Sequence, residues 1–290
     1  MKLKSSTFLF LLPWILTLLL FWLFPLIYSF ILSLTKYSVI SGQIKWIGFS
    51  NYLQILKDSD FWTALKNTSI FVIGTIPFTT IIALALAILV NQKIPLRGLF
   101  RAGFFVPSIT SMVVIALIFT NLYAKNGYLS FLCQLAGLPV PENGWLFSTA
   151  TALPSIMLMD IWMSIGYYML LFLAALQAIP VELYQSADIF GANGWQKFWH
   201  ITLPYLRPMT LFVVLINTIK SFQIFVEIFV MTKGGPLNST LTMVYLVYDE
   251  GLHKFNMGYA SAMAYCLFLI IAIFCLAQLK LFSFGKGVEE

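Results

Sequence analysis

Charge is what this 290-residue chain has least of. Only 10% of its residues are charged and 60% are hydrophobic, whereas a soluble domain carries about 25% charged residues. The chain therefore belongs in a bilayer, with its polar segments as loops. Cysteine is scarce too. Cys133, Cys266 and Cys275 form no CxxC, and two of them lie in apolar runs, which argues against a disulfide framework or a thiolate metal centre. The histidines, His200 and His253, stand far apart without ligand spacing, so no metal site is expected. The net charge of +6 comes without a basic stripe interleaved with aromatics, so nucleic acid is not an expected partner. Strand-like alternation is missing, which argues against a membrane β-barrel. The phosphate-binding pattern G-x-x-x-x-G-K-[ST] is missing as well, and "FGKG" at 284–287 does not supply it. No His/Asp/Glu cluster on adjacent spans, and no Ser/His/Asp set at a membrane face, assembles into a catalytic site.

What is present in quantity is apolar sequence. A spanning helix needs about 20 apolar residues, and six segments qualify: Phe8–Leu34, Ser69–Val90, Phe104–Ala124, Leu153–Leu176, Met209–Met231 and Met257–Leu281. Lys2 and Lys4 before the first run imitate a signal peptide, but the run is about twice the length of a signal's apolar core. It reads as a retained first span. Pro13, Pro25 and Pro77 fall inside the first two spans and Pro107 near the start of the third. Kinks are tolerable where neighbouring helices satisfy the freed carbonyls. The expectation is an all-α membrane protein whose residues 1–290 form one six-helix domain. Lys93, Arg97 and Arg101 in the tight loop after span two, with Lys2 and Lys4, place both termini in the cytoplasm by the positive-inside rule. Residues 177–208, between spans four and five, are then cytoplasmic too.

That loop is chemically specific. Pro180 suits a first helical turn and Glu182 suits the positive end of the helix dipole. Leu183, Ala187 and Phe190 recur at i, i+4 and i+7 and define one apolar face. Gly191 can take the left-handed conformation that ends a helix. Asn193 can cap a second helix, which Pro204 should stop before span five. Small residues at Ser186, Ala187, Gly191 and Ala192 admit a partner's close approach. The alternative is a hairpin lying on lipid headgroups through Trp195, Phe198 and Trp199.

The loop resembles the EAA motif of ABC importer permeases. Gln185, Ser186 and Ala187 stand at its start, Gly191 follows, and Ile201 and "LP" at Leu203 and Pro204 close it. "WIGFSNYLQIL", "LRGLFRAGFFVPSIT", "SFQIFVEIFVMTKGGP" and "MGYASAMAY" are similar to the carbohydrate-uptake branch, in the same order through nearly the whole chain. The resemblance implies a type I importer-like bundle with a coupling-helix loop between spans four and five, in the bacterial inner membrane. It implies a second, non-identical permease, two cytoplasmic ATPase subunits and an extracytoplasmic solute-binding protein. It also implies a sugar, oligosaccharide, polyol or glycoside as solute. This chain itself would need no cofactor, since the partner ATPases use the ATP and magnesium. Glu182, Tyr184, Gln185, Ser186, Ala187, Asp188, Phe190 and Gly191 are the expected ATPase-docking residues, with Tyr184 and Phe190 as anchors. Gln185 stands where the family usually has Glu, and Phe190 where it usually has Asp, so docking should lean on shape and apolar burial.

Intramembrane charges suggest the solute path. Each of Asp160, Lys220 and Glu227 costs about 2.5–3.5 kcal/mol against lipid, so each should face protein or water. Asn217, Lys220, Gln223 and Glu227 fall within an arc of roughly 120° on span five at about 100° per residue. Asp160, Ser164 and Tyr167 share a face of span four. Two readings stand: hydrogen bonds to solute hydroxyls, with Tyr167 stacking on a sugar face, or an Asp160–Lys220 ion pair that locks the bundle. An ion-coupled secondary transporter is the alternative function. Against it, neither an inverted duplication of the spans nor a chain of intramembrane acids is visible.

Overall fold

The computed structural model describes residues 5–40, 42–92 and 95–283. Lys2, Lys4, Lys93 and the stretch 284–287 lie outside them. The chain divides into two compact units. One holds the residues up to Phe61 together with Leu246–Leu269, and the other holds Trp62–Tyr245 with the chain from Ile270 onward.

In the first unit, α1 (Ser5–Thr17), a π-helical stretch at Leu18–Leu23 and α2 (Phe24–Ser33) form one apolar run. Its spanning portion is Phe10–Ser33. A short hairpin follows, β1 (Thr35–Tyr37) against β2 (Ile44–Trp46), antiparallel with Thr35 opposite Trp46. This hairpin is an addition to the expected all-helical layout. It is too short to give a period-2 signal and depends on neighbours for support. In α3 (Ser50–Ile55), the buried Asn51 donates to the carbonyls of Ser33 (2.7 Å) and Thr35 (2.9 Å). "WIGFSNYLQIL" thus carries the residue that ties α3 to the start of the hairpin. "MGYASAMAY" lies on α14 (Met257–Ser283). A Cβ on Gly258 would lie 2.1 Å from the Thr35 carbonyl oxygen, so only glycine admits the hairpin there. Tyr259 donates to Asp58 at 2.6 Å.

The second unit contains most of α4 (Ser59–Asn91), α5 (Arg97–Ile109), α6 (Met112–Leu122), α7 (Tyr128–Leu135), α8 (Ala152–Gln177), α9 (Val181–Ile189), α10 (Gly194–Lys197), α11 (Leu203–Phe222) and α12 (Val226–Met231). The short α13 (Met243–Tyr248) begins in it. Its apolar core joins Ala83, Ala87 and Val90 of α4 with Tyr168, Met169, Phe172 and Leu173 of α8 and Leu206 and Val213 of α11.

Three expected boundaries change. Span two begins at Ser59 rather than Ser69. Polar residues in its first turns are used tertiarily: Asn67 donates to the carbonyls of Asn238 and Leu241 (2.8 and 3.0 Å), and Thr68 Oγ1 accepts the Met243 N–H (3.0 Å). Span three is not straight, because α5 and α6 meet at 95°. Pro107 withholds an N–H two residues before the end of α5, and Thr110 and Ser111 turn extended. A sharp bend is expected where proline interrupts the ladder. Span five belongs to a helical run over Gly194–Met231, so Pro204 does not stop the second loop helix. It occupies the first turn of α11, where a missing N–H is tolerated, and a π-helical stretch at Phe198–Thr202 joins α10 to α11.

Glycine also decides how α5 meets α8. A Cβ at Gly166 would lie 1.9 Å from the Phe104 carbonyl oxygen. Beside it, Ser108 Oγ donates to Met163 O (2.6 Å) and accepts from Tyr167 N–H (3.1 Å). Backbone contact and an inserted hydroxyl together fix this crossing.

Candidate functional site: the loop after α8 and an intramembrane charge relay

The loop after α8 folds by local rules. Pro180 precedes the first turn of α9 in an extended conformation (ψ 130°), and Glu182 lies in that turn. Gly191 closes the helix at φ +72°. Its N–H bonds to Asp188 O (3.0 Å) and the Ala192 N–H to Ala187 O (2.9 Å), a pairing that satisfies the last carbonyls of a helix. Asn193 and Gln196 then form a reciprocal capping box at 2.8 and 2.9 Å, which satisfies two orphan donors at the start of α10.

The face expected from Leu183, Ala187 and Phe190 is split. Leu183 and Tyr184 pack against the α4–α8–α11 core, and Tyr184 OH lies 2.9 Å from Thr202 Oγ1. Tyr184 therefore supports the loop from beneath. Phe190, at the end of α9, is 89% exposed, as is its neighbour Ile189 at 85%. Phe190 ends the helix, so its direction follows the turn at Gly191 and not the helical period. Glu182, Gln185, Ser186 and Asp188 are exposed and Ala187 is half-buried. Asp188 pairs with Lys197, a partner that the linear sequence does not reveal. Trp195, Phe198 and Trp199 form a ring cluster, with centroids 5.5–6.0 Å apart.

The intramembrane charges meet as a relay. Lys220 Nζ donates to Ser164 Oγ at 3.0 Å, and Ser164 Oγ donates to Asp160 Oδ1 at 3.4 Å. Of the two readings of this stripe, the one with a direct Asp160–Lys220 ion pair is altered: Ser164, one turn after Asp160 on α8, stands between them. Asp160 and Ser164 are buried while Lys220 is open. An ammonium at this depth cannot rest against lipid cheaply, so its open side faces water or another protein.

The stripe on span five is shorter than expected. Gln223 ends α11, and Phe225 leaves the helical region at φ −144°. The 100° count therefore fails before Glu227, which sits buried in the first turn of α12. Asn217, 1% exposed, turns toward Ser221, whose Oγ donates to its Oδ1 at 3.4 Å. It lies at the edge of the arc, one turn from Ser221, which meets Thr75 of α4. Gln223 is exposed and Tyr167 is 44% exposed. The residues that sequence reasoning missed are Ser108 and Gly166, which position α8. Both carry a small-residue signal that has no meaning until the facing helix is known. Among the described residues, no group of three or more His, Cys, Asp or Glu is placed to hold a metal ion.

Residues 79–282, more than half the chain, match the model of the binding-protein-dependent transport system inner membrane component. The chain belongs to that family. This permease is 35% identical over 286 residues to the arabinooligosaccharides transport system permease protein AraP of Bacillus subtilis, covering 98% of this chain and 90% of that one. It is 33% identical over 262 residues to the lactose transport system permease protein LacF of Rhizobium radiobacter, covering 89% and 87%. A chain from a bacterial ABC transporter involved in import of the acidic polysaccharide alginate has the same fold as the permease. The TM-score is 0.83 at 22% identity, over 96% of this chain and 95% of that one. Family membership leaves no support for the ion-coupled alternative.

Proposed function

We propose that this permease forms part of the membrane path of an ATP-driven importer and passes a sugar, oligosaccharide or related polyol or glycoside into the cytoplasm. The observation that carries this is mechanical. The second helix of the loop and Lys220 share one helical run, Gly194–Met231, and Lys220 lies about 40 Å from its start along the axis. On this reading motion of α9 passes through the turn at Gly191–Asn193 into that run and on to Lys220. On this reading Glu182, Gln185, Ser186, Ala187, Asp188, Phe190 and Gly191 meet the ATPase subunit, and Tyr184 holds them in place. Exposed Ile189 and Phe190 supply the apolar contact that replaces the family's usual acid. Lys220, Gln223 and Tyr167 face the solute, backed by Asp160, Ser164 and Glu227. An ammonium and an amide donate to sugar hydroxyls, and a tyrosine ring covers an apolar sugar face.

The partners are two ATPase subunits that use ATP and magnesium, a second and different permease, and an extracytoplasmic solute-binding protein. The chain itself performs no hydrolysis. Both termini lie in the cytoplasm. The test is uptake of labelled oligosaccharides by cells expressing the full complex. Uptake should persist when ion gradients are collapsed and stop when ATP is depleted. The opposite pattern refutes the assignment.

A further inference from the structure

The contact between α4 and α11 is polar at its centre and short of hydrogens. Thr75 Oγ1 and Ser221 Oγ lie 3.3 Å apart. Yet Thr75 donates its hydrogen to Phe71 O at 2.7 Å, and Ser221 donates its own to Asn217 Oδ1. Two hydroxyl hydrogens thus serve three contacts. The helices run antiparallel, since Ala83, Ala87 and Val90 share a core with Val213 and Leu206. One turn along from the Thr75–Ser221 level, Thr79 therefore comes level with Asn217. Both are buried, at 0% and 1%. Thr79 Oγ1 and Asn217 Nδ2, an acceptor and a donor, have no hydrogen-bond partner among the described residues.

Two features make this contact unlike the rest of the core. Along it, α4 presents the small residues Thr75, Thr79, Ala83 and Ala87, the last two beside Val90 in the core shared with α11. And α11 is the element that continues from the docking loop to Lys220. Closely packed helices move by small sliding displacements, and a register held by exchangeable hydroxyl bonds resists sliding less than interdigitated leucines do.

We propose that the α4–α11 contact is a hydrated sliding seam. An ordered water joins Asn217 Nδ2 to Thr79 Oγ1 in this register, and α11 shifts along α4 when the docking loop moves, carrying Lys220 with it. Water suits the slot because a buried water needs two to four polar partners, and the antiparallel register puts Thr79 at the level of Asn217 and its neighbour Ser221. The inference rests on the transport reading for its biological role but not for its geometry.

The test uses the assembled complex in membranes, with Cys133, Cys266 and Cys275 changed to Ser. Thr75→Cys and Ser221→Cys are then introduced together. Oxidative crosslinking is timed without nucleotide and again after trapping with ATP and vanadate. The pair should crosslink quickly in one state and several-fold more slowly in the other. The crosslinked complex should lose most of its uptake and regain it on reduction. A second variant, Thr79→Val with Asn217→Leu, dries the seam without large volume change. It should raise the melting temperature of the complex and slow uptake several-fold. Equal crosslinking rates in the two states, or no crosslinking in either, overturn the seam. A wild-type complex that hydrolyses ATP without importing sugar would defeat the transport reading instead, and leaves the crosslinking comparison to be judged separately.

Discussion

Lys220 and Asp160 are joined through Ser164, at 3.0 and 3.4 Å, and not to each other. The serine hydroxyl is the only one of the three groups able both to accept and to donate. Ser164→Ala therefore leaves an ammonium and a carboxylate facing a methyl group. We expect a loss of about 1–3 kcal/mol, the cost of an unsatisfied buried polar group. Thermal unfolding of the assembled complex measures it. Ser164→Thr keeps the hydroxyl and should lose less. Equal losses for the two variants would mean that the relay does not hold the helices together.

Gly166→Ala should be the most damaging methyl addition in the second unit. The new Cβ meets a backbone carbonyl oxygen, Phe104 O, at 1.9 Å, and backbone cannot rotate aside as a side chain can. Overpacking costs about 1–3 kcal/mol, and Ser108 should lose its bridge to Met163 and Tyr167 as α5 moves away. By contrast, an added Cβ at Gly103 meets nothing within 4 Å, so Gly103→Ala serves as the neutral control in the same melting assay.

Loop variants separate folding from docking. At Gly191 an added Cβ meets no atom within 4 Å, so Gly191→Val acts through its positive φ, at about 1–2 kcal/mol. Ala187→Arg and Phe190→Ser leave that turn intact. Both should insert normally and lose copurification with the ATPase subunit, together with uptake. Normal copurification of Ala187→Arg would return the loop to the lipid surface through Trp195, Phe198 and Trp199.

Reporter fusions check orientation. A reporter fused after Lys125 should lie outside the cell and one fused after Lys197 inside it. Activity on the same side for both would contradict the six-crossing topology and the cytoplasmic placement of the docking loop.

Acid should loosen the turn at Asp249–His253. Burial raises the Asp249 pKa, but hydrogen bonds from Lys254 and His253 outweigh it and hold the carboxyl below its usual value. A depressed carboxylate contributes stability above the unfolded value, near pH 4, and that contribution disappears as pH falls through the folded value. Lys254, whose pKa is raised chiefly by its hydrogen bond to Glu250, keeps its charge throughout this range. Once the intrinsic pH dependence of amide exchange is divided out, protection at residues 249–256 should therefore be unchanged from pH 7 to about pH 5 and fall below about pH 4. Asp249→Asn should already show the lower protection at neutral pH.

The membrane class, the helical fold and the turns of the loop after α8 were legible in the residues themselves because each rests on local rules. Apolar run length decides spanning, and capping chemistry at Gly191, Asn193 and Gln196 decides where the loop helices end. The charged positions were legible too, since Asp160, Lys220 and Glu227 stand out in oil. Tertiary structure alone decided how those pieces meet. Whether Asp160 reaches Lys220 directly depends on the side chain that lies between two helices. That Ser221 meets Thr75 depends on a neighbour 146 residues away. The bend at Thr110–Ser111 and the break before Glu227 shift every later residue off a straight helical wheel. Gly166 is one small residue among many until Phe104 is brought against it. A sequence specifies such contacts only through packing, and packing energy depends on distances between segments that no local period encodes.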